Sequence, residues 1–162
     1  MEHRIRPAGR ADAAFLLEMS CEAANWDPLT ARPRADLVGD AAVLRHVRGW
    51  HRPGDGGVLA EDAAGEPIGA CWFRLARREE PGAVFIAPGV PELTLGVRVP
   101  WRARGVGRAL LLAACGEARR RGHQRIGLGV HRDNVALRLY RSEGFVTVSS
   151  GDTDDVMVKT LR

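Results

Sequence analysis

Between an extended apolar run and a segment rich in alanine and leucine lies Arg102-Ala103-Arg104-Gly105-Val106-Gly107-Arg108, whose residue types suit the binding of an anion by backbone. Gly105 and Gly107 carry no Cβ, so the chain can turn sharply there and let a ligand approach the main chain. The first amides of a helix have no partner inside it, and the helix dipole adds partial positive charge at the same end. A phosphate or pyrophosphate fits there, held by the amides of Ala103 to Arg108. Arg102, Arg104 and Arg108 could add charge-assisted hydrogen bonds, although arginine is abundant throughout this chain and the backbone is the firmer element.

Spacing separates the phosphate-binding patterns that such a loop could represent. A nucleoside triphosphate loop needs Lys-Ser or Lys-Thr after its second glycine, and the one lysine of the chain is Lys159. The dinucleotide fingerprint needs a third glycine where Leu110 stands. What remains is Arg102-x-x-Gly105-x-Gly107, followed by a helix.

The elements that must position this loop follow from the apolar periodicity. Ile5-Arg6-Pro7 reads as a short strand, and Ala11 to Ala24 as a helix broken by Asn25-Trp26-Asp27-Pro28. Asp40 is a suitable N-cap for a second helix. Val58 to Glu61 and Ile68 to Leu75 read as strands joined by a hairpin across Asp62 to Pro67, and Glu92 to Val99 as the strand that feeds the glycine loop. Beyond the loop come a helix through Ala118, stopped by Arg119-Arg120-Arg121-Gly122, then a buried strand Ile126 to Val130 and a compact helix Asn134 to Arg141. Strands Phe145 to Val148 and Val156 to Lys159 complete the order. One α/β (α+β) domain over residues 1–162 follows, a mixed sheet with helices on both faces.

Bulk properties narrow the partners. The 45% hydrophobic and 27% charged composition is that of an ordinary globular domain. Twenty-four basic against 20 acidic residues favour acidic ligands without the basic stripe of a nucleic-acid binder, so no nucleic-acid partner is expected. Cys21, Cys71 and Cys115 are odd in number and far apart, which suits reduced structural thiols in a cytoplasmic protein. No run of about 18 apolar residues exists, so no membrane association is expected. His46, His51, His123 and His131 lack the spacing of a helical metal site, and no metal is expected.

Taken together, Arg102-x-x-Gly105-x-Gly107, then Asn134, Ala136, Leu139-Tyr140 and Gly144-Phe145, resemble the acetyl-CoA loop and following elements of the GNAT superfamily of N-acetyltransferases. The resemblance covers roughly the last 70 residues. It implies a mixed, mostly antiparallel sheet of about seven strands. It also implies transfer of an acetyl group from acetyl-CoA, as cosubstrate, to an amine on a small molecule or a protein. Leu95, Gly96 and Val97 would then offer main-chain groups to the pantetheine arm, and Asn134 would bind the cofactor or cap the last helix.

Two side chains are implied as catalytic. Tyr140, the one tyrosine, sits where the family often places a general acid; a phenol can protonate a departing thiolate whose thiol has a pKa near ~8.5. Its alternative is a helix aromatic packed on the sheet. Glu92 would take a proton from the attacking amine, directly or through water, with a salt-bridged glutamate as the alternative. Trp26, Trp50, Trp72, Asp27 and Asp55 could border the acceptor pocket, the two aspartates pairing with a cationic acceptor. A GNAT-like module that senses acyl-CoA without turnover is the second functional reading. A homodimer is open to the chain, since no residue pattern sets the oligomeric state.

Overall fold

A computed structural model of the chain describes residues 2–75, 77, 79–80 and 84–162. Its elements are β1 (His3–Pro7), α1 (Ala13–Ala24), α2 (Arg34–Leu37), α3 (Ala41–Leu44), β2 (Gly56–Asp62), β3 (Pro67–Leu75), β4 (Pro91–Val97), α4 (Val106–Arg120), β5 (Arg125–His131), α5 (Ala136–Ser142), β6 (Val146–Ser150) and β7 (Asp154–Thr160). The strands form a seven-stranded sheet ordered β1-β2-β3-β4-β5-β7-β6. Its pairs are antiparallel except β4 with β5, which meet in parallel. This is the mixed, mostly antiparallel sheet of about seven strands that the family resemblance implied.

Strand alternation decides which helix covers which face. Val58, Ala60, Cys71 and Phe73 turn to the side where α4 and α5 pack, while Leu59, Ala70 and Trp72 turn to α1. Both faces are therefore covered at β2 and β3, which is why Ile68 to Phe73 read as a continuous apolar run. Helix α4 buries Val106, Leu110, Leu111, Ala114, Cys115 and Ala118 along one stripe. Its start is set by Gly105, at φ +85°, a left-handed conformation that a side chain would strain. All three cysteines are buried and unpaired.

Boundaries differ from the sequence reading where local chemistry intervenes. The strand expected through Val99 ends at Val97, because Val99–Trp101 forms a 3-10 turn around Pro100. The last helix begins two residues later than expected, with Asn134 standing before it as a cap: Asn134 Oδ1 accepts from Ala136 N at 3.0 Å. Helix α2 spans one turn, too short to show periodicity. Asp40 does cap α3, its carboxylate accepting from Ala42 N at 2.8 Å. Among the described residues no helix is long and apolar enough to cross a membrane.

Gly96 is where α1 meets the sheet most closely: a Cβ there would lie 2.5 Å from Met19 O and 3.0 Å from Met19 Cβ. Backbone cannot yield as a flexible side-chain tip can. Gly96→Ala is expected to destabilise the fold by ~1–3 kcal/mol in urea denaturation, by forcing α1 away from β4.

Candidate functional site

Strands β4 and β5 share one parallel bridge, Glu92 with Gly127, and then separate. Arg98 N donates to Ile68 O at 2.9 Å, and the register pairs Val97 with Gly69 and Gly96 with Ala70. Alternate residues of an antiparallel ladder aim their N–H and C=O to opposite sides. Thr94 and Gly96 therefore bond β3, whereas Leu95 and Val97 aim their polar groups toward the departed β5. Val97 O is taken by Arg102 Nε at 3.0 Å. The opening is a cleft of about 830 Å³ that runs from the head of α4 to α1 and α3.

At one end of the cleft the amides of Ala103 through Arg108 donate to no intramolecular partner; Arg102 N donates to Val99 O behind them, and Ala109 N resumes the helical pattern on Gly105 O. Ala103, at φ +57°, and Gly105 turn the chain so that these donors fan outward. Gly107 lines the cleft. The arginine side chains are committed elsewhere: Arg102 pairs with Glu22 at 2.9 Å, Arg108 with Glu143, and Arg104 Nε donates to Pro100 O at 3.0 Å. Each of these arginines thus has at least one nitrogen in use, whereas the main-chain amides have no intramolecular partner.

The other end is built from charge. Glu92, Thr94 and Gly96 project from β4 toward α1 and α3, being two apart on one strand. Both oxygens of Glu92 are held by Arg45, one through Nη1 and the other through Nη2 at 2.9 Å, and the pair is buried. Arg45 Nε is sealed without a partner. Beside it, His46 Nδ1 lies 2.9 Å from Thr94 Oγ1. Burial, then the charges of Arg45 and Arg74, push the His46 imidazole down to about 3, so it is neutral near pH 7.

The segment carrying Arg45 and His46 is pinned from β3. Arg74 Nη1 donates to Arg45 O at 3.0 Å and to Arg48 O at 2.8 Å, while its Nε and Nη2 meet the Asp55 carboxylate at 3.1 and 2.6 Å. Asp55, 1% exposed, is therefore a structural anion and not the acceptor-facing carboxylate that its loop suggested. Asp27 likewise caps a turn, accepting from Leu29 N at 2.9 Å. Of the three tryptophans considered, Trp26 borders the cleft, its ring 4.8 Å from that of His131. Trp72 is core and donates to His46 O at 3.0 Å; Trp50 donates to Gly9 O at 2.9 Å.

Tyr140 reaches the cleft from α5, on the opposite side of the sheet from Glu92. It is 7% exposed and packs against Phe145 with ring centroids 5.8 Å apart. Burial, with Cys71 nearby, pushes its phenol well above the usual range, so it keeps its proton. Of the site expected from sequence, the cleft gathers Tyr140, Glu92, Leu95, Gly96, Val97, Arg102, Ala103, Gly107 and Asn134, while Arg104, Gly105, Val106 and Arg108 are not among its lining residues. Arg45, His46 and Thr94 were missed. The signal that existed was Arg74, a charge inside an apolar strand, which must have a buried partner.

The model of the acetyltransferase (GNAT) family matches residues 16–145. Mycothiol acetyltransferase of Nocardiopsis dassonvillei is 34% identical over 162 residues, 93% of this chain, and that of Saccharomonospora viridis 29% identical over 142 residues, 86% of this chain. The chain spans 44% of the length of each. Among solved structures, yncA of Salmonella typhimurium, described as a putative acetyltransferase with its cofactor acetyl-CoA, superposes with a TM-score of 0.70 at 21% identity, over 100% of this chain and 95% of that one.

The buried network makes two expectations. Asp55→Asn leaves the Arg74 charge unmatched and should destabilise by ~3–5 kcal/mol, read as a lower melting temperature. His46 accepts a proton near 6.5 when unfolded and near 3 when folded, so the unfolded chain binds the extra proton between these values. The stability its neutral ring supports is complete above pH 6.5 and is lost as pH falls toward 3. His46→Gln should flatten that part of the melting-temperature profile.

Proposed function

The chain belongs to the acetyltransferase (GNAT) family, and we propose that it transfers an acetyl group from acetyl-CoA to an amine by direct attack. The observation that carries this reading is the row of unpartnered amides from Ala103 to Arg108, which opens onto the gap between β4 and β5. These amides would hold the pyrophosphate, and the amides of Leu95 and Val97 would hold the pantetheine arm and polarise the thioester carbonyl. Asn134 would contribute its side-chain Nδ2, since Oδ1 is used to cap α5.

The two sides of the sheet then divide the proton work. As the nitrogen–carbon bond forms and the carbon–sulfur bond breaks, the sulfur leaves as a thiolate and takes a proton from Tyr140, which burial keeps protonated. The nitrogen's surplus proton leaves on the face of Glu92. Arg45 occupies one lone pair on each carboxylate oxygen and leaves the second open, so Glu92 would receive that proton directly or through water. Proximity of the two reactants in the cleft supplies much of the remaining acceleration. Relatives named mycothiol acetyltransferase support acetyl transfer as the reaction class, with the acceptor of this chain its own question.

Acetyl-CoA at a hundred times its dissociation constant should stabilise the protein by ~2.7 kcal/mol, seen as a rise in melting temperature that NAD does not reproduce. Thiol release with an amine identifies turnover, and stabilisation without release with any amine identifies a sensor. Tyr140→Phe should keep the acetyl-CoA shift and lower kcat by ~10²-fold or more.

A further inference from the structure

Three of the carboxylates that line the cleft are already matched by a cation. Glu22 pairs with Arg102 at 2.9 Å, Asp40 with Arg32 at 3.0 Å, and Glu92 with Arg45. Asp154 lies at the exposed rim, where its side chain accepts from Thr153 Oγ1 at 3.0 Å. What faces the opening beside the row of Glu92 and Thr94 is an uncharged imidazole. The contact between His46 Nδ1 and Thr94 Oγ1 leaves Nε2 as the second ring nitrogen, and in the tautomer with its hydrogen on Nδ1 that nitrogen carries the lone pair. No described residue bonds that nitrogen, and it is not sealed: the buried side-chain polar atom left without a partner is Arg45 Nε. The charges around the ring are Arg45 beside it, Glu92 on β4 and Arg74 on β3 with Asp55 behind it, each cation matched by its carboxylate.

We propose that the cleft takes its acceptor as an uncharged amine, with His46 Nε2 accepting one of its N–H groups, and so selects weakly basic amines over alkylammonium groups. This rests on the acetyltransferase reading above and names the class of amine it acts on. Binding the free base leaves the nitrogen lone pair directed at the thioester while one N–H is fixed. A cationic amine would instead place three donors against a ring and an ion pair that offer no net negative charge, and would lose its hydration without recompense.

The test uses the full chain and two probes on one Gly-Lys amide scaffold, one with its side-chain amine blocked and the other with its α-amine blocked. An α-amine has a pKa near ~8 and a lysine side chain near ~10.4, so at pH 7.5 their free-base fractions differ on the order of a hundredfold. The expected result is a preference for the α-amine probe of that order in kcat/KM at pH 7.5. The rise of kcat/KM with pH should follow each probe's own amine. His46→Gln should lower kcat/KM for both probes, mainly through KM, and leave those rises in place. Thr94→Val, which removes the partner of Nδ1, should do the same to a smaller extent if the first variant folds poorly. A rise at one shared pH for both probes, or equal use of both at pH 7.5, overturns the proposal. If neither probe is acetylated at any pH the proposal also fails, and the acetyl-CoA-dependent melting shift then separates its failure from failure of the cofactor reading.

Discussion

After the single bridge between Glu92 and Gly127, β4 and β5 leave backbone groups that no strand completes. A buried N–H or C=O without a partner is expensive, so a sheet divided at its centre is stable only when the gap is open to water or filled by a polar ligand. Everything else in the chain is arranged around that division. Helix α4 begins at its mouth with further unsatisfied amides, α5 closes one side, and α1 with the turn around Arg45 closes the other. The opening thus has donors at one end and a matched set of charges at the other, with the strand edges of Leu95 and Val97 between.

Dividing a sheet weakens it, and the buried ion pairs supply part of the order that the missing ladder does not. Arg74 joins β3 to the carbonyls of Arg45 and Arg48 and is neutralised by Asp55. Arg45 then joins the same turn to Glu92 on β4. Such pairs contribute little net stability compared with apolar packing, yet losing one member is severe, because the other charge remains buried. They fix geometry. A short helix such as α3 has little hydrogen bonding of its own, and its C-terminal turn is held where it is by side chains from the sheet.

The half of the chain from Glu92 onward was legible because its signals are local. Gly105 and Gly107 mark a turn, the Leu110 to Ala118 stripe marks a helix, and the order of Asn134, Tyr140 and Gly144 places the closing elements. The acceptor side was not legible in the same way. Which carboxylate meets which arginine depends on register and on the packing of α3, neither of which leaves a mark in neighbouring residues. Asp55 illustrates the difficulty: in sequence it sits in a glycine-rich loop that looks exposed, and in the fold it is sealed under Arg74. Arg74 was the informative residue, a cation among Trp72, Phe73 and Leu75 whose burial demanded an anion from elsewhere in the chain.

Cys21, Cys71 and Cys115 are all buried, and burial raises the pKa of each thiol. Disulfide exchange and alkylation proceed through the thiolate, so in the folded protein these sulfurs are both shielded and protonated. Colorimetric reagents that count free thiols will therefore register the coenzyme released in solution against an almost silent protein background. The same property makes the three sulfurs reporters of integrity: their sudden reactivity during storage or heating marks opening of the core rather than catalysis.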